Sequence, residues 1–447
     1  MKKHLEFFAT GLLACGFAAA LTACGDSAAL NTASAFPGGR SSSSGAGGRS
    51  SGGSDPCTPP LPTPDADPCY QPPNPLPAGP TGTLIKSCPI TFAPQGGVPM
   101  GNQAWVIMFL SKDVNGQVIP ATAAVVKPMS APIDGAKLLA FQYAEDGLGA
   151  QCAPSHTVAG GTANSVSQAE SAQPLPLLQQ GWTIVYPDHE GPFSAYAAGR
   201  LAGQITLDAI RAAQNFDQLG LAANTPVAMW GYSGGAIATA WAASLQQSYA
   251  PELNILAIAS GGTPADVLGI AKNVDTNPVT NAAFFNLILS AIEGVNRSYP
   301  LLVTPILNDK GRAAFESLKD GCNGNTSDGS AAPTGHLADY TTTPDPFNSP
   351  GTRATAPLIT LPLAGASPVS DTFVYHSQLD ELIPIAGTDI MVDAWCKAGS
   401  RVAYYRGVSG EHVAFEATAG PLVLGYLESR MNGSPLAVTP LGTTTCN

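Results

Sequence analysis

An apolar run, Val227 to Trp230, meets an alanine-rich run, Gly234 to Ser248, across the five residues Gly231-Tyr232-Ser233-Gly234-Gly235. Few folds accommodate that junction. Small residues beside the serine allow a sharp strand-to-helix turn, which lifts the hydroxyl onto a helix N-terminus. A glycine-rich turn without chemistry satisfies the same five letters; the strand before it and the helix after it favour a nucleophile at Ser233. The surrounding chain keeps the same rhythm. Strands are expected at Ala104–Phe109, Thr122–Val126, Lys137–Tyr143, Thr183–Pro187, Val227–Trp230, Ile255–Ala259, Thr372–Tyr375 and Val402–Tyr405. Helices are expected at Ala195–Phe216, Gly234–Ser248 and Ile385–Ala398. Strands alternating with helices predict an α/β fold whose mostly parallel central sheet is covered on both faces. Between Pro264 and Pro362 the alternation stops, leaving a helical stretch at Ala282–Val295 and a loop-rich tail. Lying between two sheet strands, residues 264–362 are expected to form an inserted, mainly helical cap on a core made of 81–263 and 363–447.

A serine hydroxyl is a weak nucleophile until an imidazole takes its proton, and the imidazole needs a carboxylate to fix its tautomer. On a fold of this kind the chain order is serine, acid, histidine. Three histidines follow Ser233: His336, in the irregular tail, His376, at a strand end, and His412. His412, in Ser409-Gly410-Glu411-His412 after the last expected strand, is the best placed base. The acid belongs just past the preceding strand, where Asp380 and Glu381 stand, and Asp380 is preferred. A solvated loop carboxylate or helix cap is the ordinary fate of such residues. The oxyanion requires two donors: the N–H of Gly234, and a group from the loop Tyr143-Ala144-Glu145-Asp146-Gly147 after an early strand, which is otherwise a simple acidic turn. Asp188-His189-Glu190-Gly191 also follows a strand, yet lacks further histidines at metal-ligand spacing and reads as a turn capping a helix from about Phe193. No metal or cofactor is required by these residues.

A formal charge of −12 and a pI near 4.8 argue against nucleic acid as partner, because phosphate attraction needs clustered Lys and Arg. The 44% hydrophobic content is ample for a buried core. Met1-Lys2-Lys3 followed by an apolar run from Phe7 to Leu21 and by Leu21-Thr22-Ala23-Cys24 reads as a bacterial export signal over 1–23, with Cys24 lipidated as the first mature residue; an ordinary signal peptide is the alternative. A membrane-anchored or secreted protein of the cell envelope, and a monomer, is expected. No later segment has enough uninterrupted apolar residues to span a bilayer, the richest being Ala282–Ile292, broken by Asn286. Residues 24–80, rich in Ser, Gly and then Pro, read as a flexible tether in which Cys57 and Cys69 are able to close a small loop. Export makes the seven cysteines beyond the signal disulfide candidates, and an odd number leaves one over.

The chain resembles the secretory lipase family, known from yeast extracellular lipases including the lipase A type. The stretches that carry the resemblance are Glu145-Asp146 with Cys152-Ala153-Pro154-Ser155, then Asp188-His189-Glu190-Gly191 and Gly231-Tyr232-Ser233-Gly234-Gly235-Ala236. Further on they are Ser248 to Ile255, Gly261-Gly262-Thr263-Pro264, Asp380-Glu381-Leu382-Ile383-Pro384 and Glu411-His412, in order over roughly residues 80–430. The resemblance implies an α/β-hydrolase core with a helical cap, and hydrolysis of triacylglycerols and simpler esters through an acyl-enzyme. It makes Ser233 the nucleophile, Asp380 the acid, His412 the base, and Asp146 with the Gly234 N–H the oxyanion donors. An aspartate in that place has to be protonated to donate from its side chain, or else lends its backbone N–H. The resemblance also implies a Cys152–Cys322 disulfide; a Cys396–Cys446 pair is a separate expectation. The long tether and the lipidation signal depart from the yeast pattern. An acyltransferase or serine peptidase on the same fold, and a non-catalytic surface binding protein, remain open alternatives.

Overall fold

The computed structural model describes residues 61–446 apart from residues 96, 133, 163 and 328 and residues 435–442. The expected signal at 1–23, the lipidation site Cys24, and the first part of the tether with Cys57 lie outside the described residues.

Ten strands form one sheet: β1 (Leu84–Thr91), β2 (Gln103–Lys112), β3 (Val118–Val126), β4 (Leu138–Gln142), β5 (Thr183–Pro187), β6 (Val227–Tyr232), β7 (Ile255–Gly261), β8 (Asp371–Ser377), β9 (Val402–Gly407) and β10 (Thr443–Cys446). Their spatial order is β1-β2-β3-β5-β4-β6-β7-β8-β9-β10. The first three and β5 meet antiparallel, the run from β5 to β9 is parallel, and β10 returns antiparallel along β9. The middle strands β4, β5 and β6 are buried at every position, as strands covered on both faces must be.

Short helices α1 (Pro154–Val158), α2 (Ser165–Glu170) and α3 (Leu175–Gln179) follow β4; α4 (Gly199–Gln214) and α5 (Ser233–Tyr249) flank β6. Two apolar layers result. One packs Ile205, Trp241 and Trp395 against one face of the sheet, and the other packs Leu177, Trp182, Phe415 and Tyr426 against the opposite face. Helices α4 and α5 touch closely because Gly203 brings its backbone against α5: a Cβ there would come within 2.7 Å of the Ala242 nitrogen. Between β7 and β8 lie α6 (Val267–Thr276), α7 (Pro278–Ser298), α8 (Pro300–Val303), α9 (Asp309–Leu318) and α10 (Pro350–Ile359); α11 (Ile385–Lys397) and α12 (His412–Met431) complete the α-helices among the described residues. The mostly parallel sheet with helices on both faces is the expected α/β-hydrolase architecture.

Several expectations are corrected. Helix α4 begins at Gly199, not Ala195; the residues before it are turns in which Ser194 and Ala197 have φ of 45° and 64°. Helix α7 runs 21 residues and contains an 18-residue stretch with a mean hydropathy of 1.2, so it is long and apolar enough to cross a membrane by length and composition, contrary to the expectation that no segment is; 44% of that stretch is buried here. The tether is also shorter than expected. From residue 61 the chain is attached to the core: Pro64 is buried, and the Tyr70 hydroxyl shares a 2.9 Å hydrogen bond with Ser155. Cys69 pairs with Cys88 on β1, not with Cys57, because its short turn lies along that strand with Cα atoms 6.0 Å apart. Cys152–Cys322 and Cys396–Cys446 are both disulfides.

Candidate active site

Parallel strands deliver loops to one edge, and the candidate residues all follow the C-terminal ends of such strands: Asp146 after β4, Ser233 after β6, Asp380 after β8 and His412 after β9. Ser233 opens α5 with φ of 50°, a conformation an L-residue holds only when its surroundings enforce it. The adjoining glycines show what enforces it. A Cβ on Gly235 would overlap the Gln142 carbonyl, and one on Gly234 would overlap Oδ1 of Asp146.

His412 Nε2 stands 2.8 Å from Ser233 Oγ, and its Nδ1 stands 2.7 Å from Asp380 Oδ2. Serine, imidazole and carboxylate thus form one hydrogen-bonded line, with His412 only 5% exposed. The backbone of His412 is held at both ends: its carbonyl accepts from the Tyr232 hydroxyl at 2.7 Å and its N–H donates to Glu381 Oε2 at 3.1 Å. Glu381, the alternative acid, therefore faces the main chain of the histidine while Asp380 faces the ring. The other oxygen of Asp380 accepts from the N–H groups of Leu382 at 3.1 Å and Ile383 at 2.7 Å.

A second histidine, His376 at the end of β8, shares that carboxylate. His376 is fully buried, and its Nε2 faces two acceptors, the Ile383 carbonyl at 3.0 Å and Asp380 Oδ2 at 3.2 Å, so Nε2 carries the proton. Its Nδ1 meets the Thr388 hydroxyl at 2.9 Å. The spacing of four residues between His376 and Asp380 was legible; the loop that folds one back on the other was not. Burial pushes the Asp380 carboxyl up, but hydrogen bonds from His376 and His412 outweigh it and hold the group well below the usual carboxylate range. For His412, burial pulls the pKa down, and the hydrogen bond and charge of Asp380, with the charges of Glu416 and Glu381, more than reverse this.

Asp146 is buried with φ of 41°, its Oδ1 lies against Gly234, and that oxygen has no hydrogen-bond partner among the described residues. Burial raises its carboxyl to about 7, against the opposing effects of His412 and the Tyr196 hydroxyl. A protonated carboxyl beside the helix N-terminus, with an oxygen left over, is able to donate toward the space in front of Ser233.

The Asp188-His189-Glu190 cluster caps no helix. Asp188 accepts from the Ser155 N–H (2.7 Å) and hydroxyl (2.6 Å) and from the Thr122 hydroxyl at 2.5 Å. His189 Nε2 donates to the Tyr143 carbonyl at 3.1 Å, and Glu190 accepts from the Gly147 N–H at 3.3 Å. The cluster thus braces the loop that carries Asp146. Burial, together with the neighbouring carboxylates, raises Glu145 and Glu190 well above the ordinary range.

The secretory lipase family model matches residues 159–438. The chain is 32% identical to a secreted triacylglycerol lipase of Malassezia furfur, over 83% of this chain and 76% of that protein. It is 29% identical to a Mycobacterium tuberculosis protein named a probable inactive lipase, over 83% of both chains. Among solved structures it is similar to Candida antarctica lipase A in its closed state, with a TM-score of 0.74, 26% identity, and coverage of 84% of this chain and 88% of that one.

Proposed function

Given that this chain belongs to the secretory lipase family and is a carboxylic ester hydrolase, we propose that it cleaves triacylglycerols or related acyl esters through a covalent intermediate on Ser233. The observation that carries this reading is the unbroken line from Ser233 Oγ through His412 to Asp380, at 2.8 and 2.7 Å. Ser233 Oγ attacks the acyl carbonyl as His412 Nε2 takes its proton, and Asp380 holds the imidazolium that forms. The Gly234 N–H and Asp146 stabilise the oxyanion. Collapse expels the alcohol, which leaves with the proton from His412, and the acyl group stays on Ser233 as an ester. Water then repeats the sequence and releases the free acid.

The insertion acts as a cap over the acyl site. Supporting this, α6 begins a few residues after Gly262, which lies against the His412 ring, and an apolar cavity lined by Val267, Ala271, Ile288, Ala291, Phe315 and Ile359 lies wholly within the insertion. Apolar walls favour an acyl chain and keep water from the oxyanion. In this chain Ser233, Asp380 and His412 are joined by hydrogen bonds, which favours activity here over the inactivity that the name of the mycobacterial relative gives that protein. The enzyme works outside the cell as a monomer, held to a membrane by a lipid on Cys24; labelled palmitate is then expected to enter the chain and not Cys24→Ala, and a label that survives the substitution, or no label at all, contradicts the anchor.

The experiment is hydrolysis of p-nitrophenyl esters from short to long acyl chains, by protein lacking residues 1–24, beside Ser233→Ala. The expected outcome is activity extending to long chains, reduced about four orders of magnitude or more by the substitution. Cleavage confined to short chains makes the protein a carboxylesterase. Transfer to an added alcohol in preference to water makes it an acyltransferase, and release of amines from peptides makes it a peptidase.

A further inference from the structure

We propose that Asn164 and Asn323 are positioning residues for Asp146, so that the insertion supplies part of the device that orients the oxyanion loop. The proposal rests on the reading of Asp146 as an oxyanion donor.

Two peptide groups flank Asp146, and a side chain or segment grips each of them. In the first, the Glu145 carbonyl accepts from Asn164 Nδ2 at 2.8 Å. A trans peptide sets C=O and N–H in opposite directions, so this bond also sets the direction of the Asp146 N–H. In the second, the Asp146 carbonyl accepts from the Asn323 N–H at 2.8 Å while the Gly147 N–H donates to Glu190. With both peptides fixed, the positive φ of Asp146 and the aim of its carboxyl are fixed too.

The two asparagines also fix each other. Asn164 is fully buried, and its Oδ1 accepts from the Ser167 N–H at 3.0 Å and from Asn323 Nδ2 at 2.6 Å, which leaves its NH₂ for the Glu145 carbonyl. Asn323 belongs to the insertion and holds φ of 55°, a region where asparagine is enriched over other side chains. Its neighbour Cys322 is bonded to Cys152 and bridges to Gly147, and the Gly321 carbonyl accepts from the Leu148 N–H at 2.9 Å. The insertion is thus joined to the oxyanion loop residue by residue from 146 to 148. Neither asparagine touches the reacting atoms; both act through Asp146.

The test uses the full chain, with p-nitrophenyl butyrate as substrate and an alkyl boronic acid as inhibitor, whose tetrahedral serine adduct places an oxygen at the oxyanion site. Asn164→Ala and Asn323→Ala are each expected to lower kcat about tenfold to a hundredfold with little change in KM, and to weaken boronate inhibition in proportion. The double variant is expected to be little worse than either single one, because the pair acts as a unit. Asn323→Gly, like Asn323→Ala, keeps the backbone N–H and loses the bond to Asn164 Oδ1, but it tolerates the positive φ, so it is expected to lose less than the alanine variant. Unchanged kcat in a folded variant overturns the proposal, as does a fall in kcat that tracks melting temperature while boronate inhibition stays the same. Should the alanine variants not fold, Asn323→Gly carries the same decision: an unchanged kcat and boronate affinity overturn the proposal. Asp146→Ala, run alongside, separates the two readings. If it leaves kcat intact, the assignment of the Asp146 side chain as oxyanion donor falls; if it lowers kcat and the asparagine variants do not, only the positioning inference falls.

Discussion

At Asp146 a proton is required for the side chain to donate, and burial supplies the condition by raising the carboxyl to about 7. His412 must be neutral to act as base, and its pKa is raised, so activity climbs as pH rises through the His412 pKa and declines as Asp146 ionises near 7. Asp146→Asn keeps a donor that does not titrate, so the alkaline decline in kcat is expected to vanish, while Asp146→Ala lowers kcat about a hundredfold or more at all pH values. A pH profile of kcat checks both; an alkaline limb unchanged in Asp146→Asn contradicts the assignment. The same shift has a stability consequence. Between the unfolded value of 3.8 and about 7 the folded chain binds the extra proton, so the contribution of Asp146 to stability falls as pH rises through that window. His376 gives a second prediction: without its Nε2–H, more of the Asp380 charge acts on His412. His376→Leu is therefore expected to move the acid limb of kcat/KM to higher pH and to lower kcat about tenfold. An acid limb and kcat both left in place would count against any role for His376.

Among the elements, the strands were legible because apolar runs such as Val227 to Trp230 are buried on both faces, whereas β1, with Lys86 and Pro89 on a half-exposed edge, hid its alternation. Strand β10 is a threonine-rich stretch of four residues whose pairing with β9 adjoins the Cys396–Cys446 bond, a constraint no local pattern reveals. Phe193 to Ala198 read as helix and are turns because Arg297, from α7, draws in the Phe193 and Ser194 carbonyls at 2.8 and 3.2 Å. Tertiary contact overrode propensity there. The grouping of Ser233, Asp380 and His412 in the candidate site was legible from chain order and small residues, whereas contacts that depend on distant segments meeting, as at Asn323 and His376, were not. Gly203 sets the α4–α5 approach, so Gly203→Val is expected to cost about 1–3 kcal/mol by forcing the helices apart. Denaturant unfolding reads this, and a variant as stable as the parent would show that the helices need not touch.

For the whole molecule, the C-terminal ends of the parallel strands carry the candidate residues, and the insertion between β7 and β8 encloses an apolar cavity of its own. Helix α7 belongs to that insertion, with part of its apolar surface buried and Val279 among its exposed residues. If the cavity takes the acyl chain, filling it discriminates by chain length. Ala271→Phe is expected to reduce hydrolysis of hexadecanoyl esters about tenfold or more while butanoyl esters are cleaved as before, since burial of each methylene is worth about 0.8 kcal/mol. Parallel loss on both esters would place the acyl chain elsewhere.

Covalent capture tests directly whether Ser233 is the nucleophile. The protein is incubated with a p-nitrophenyl alkylphosphonate and the modified peptide is identified by mass spectrometry, with His412→Ala as control. One phosphonyl group on Ser233, loss of ester hydrolysis in step with labelling, and greatly slowed labelling in the control are expected. A label on another residue, or hydrolysis that persists once Ser233 is fully modified, would contradict that role.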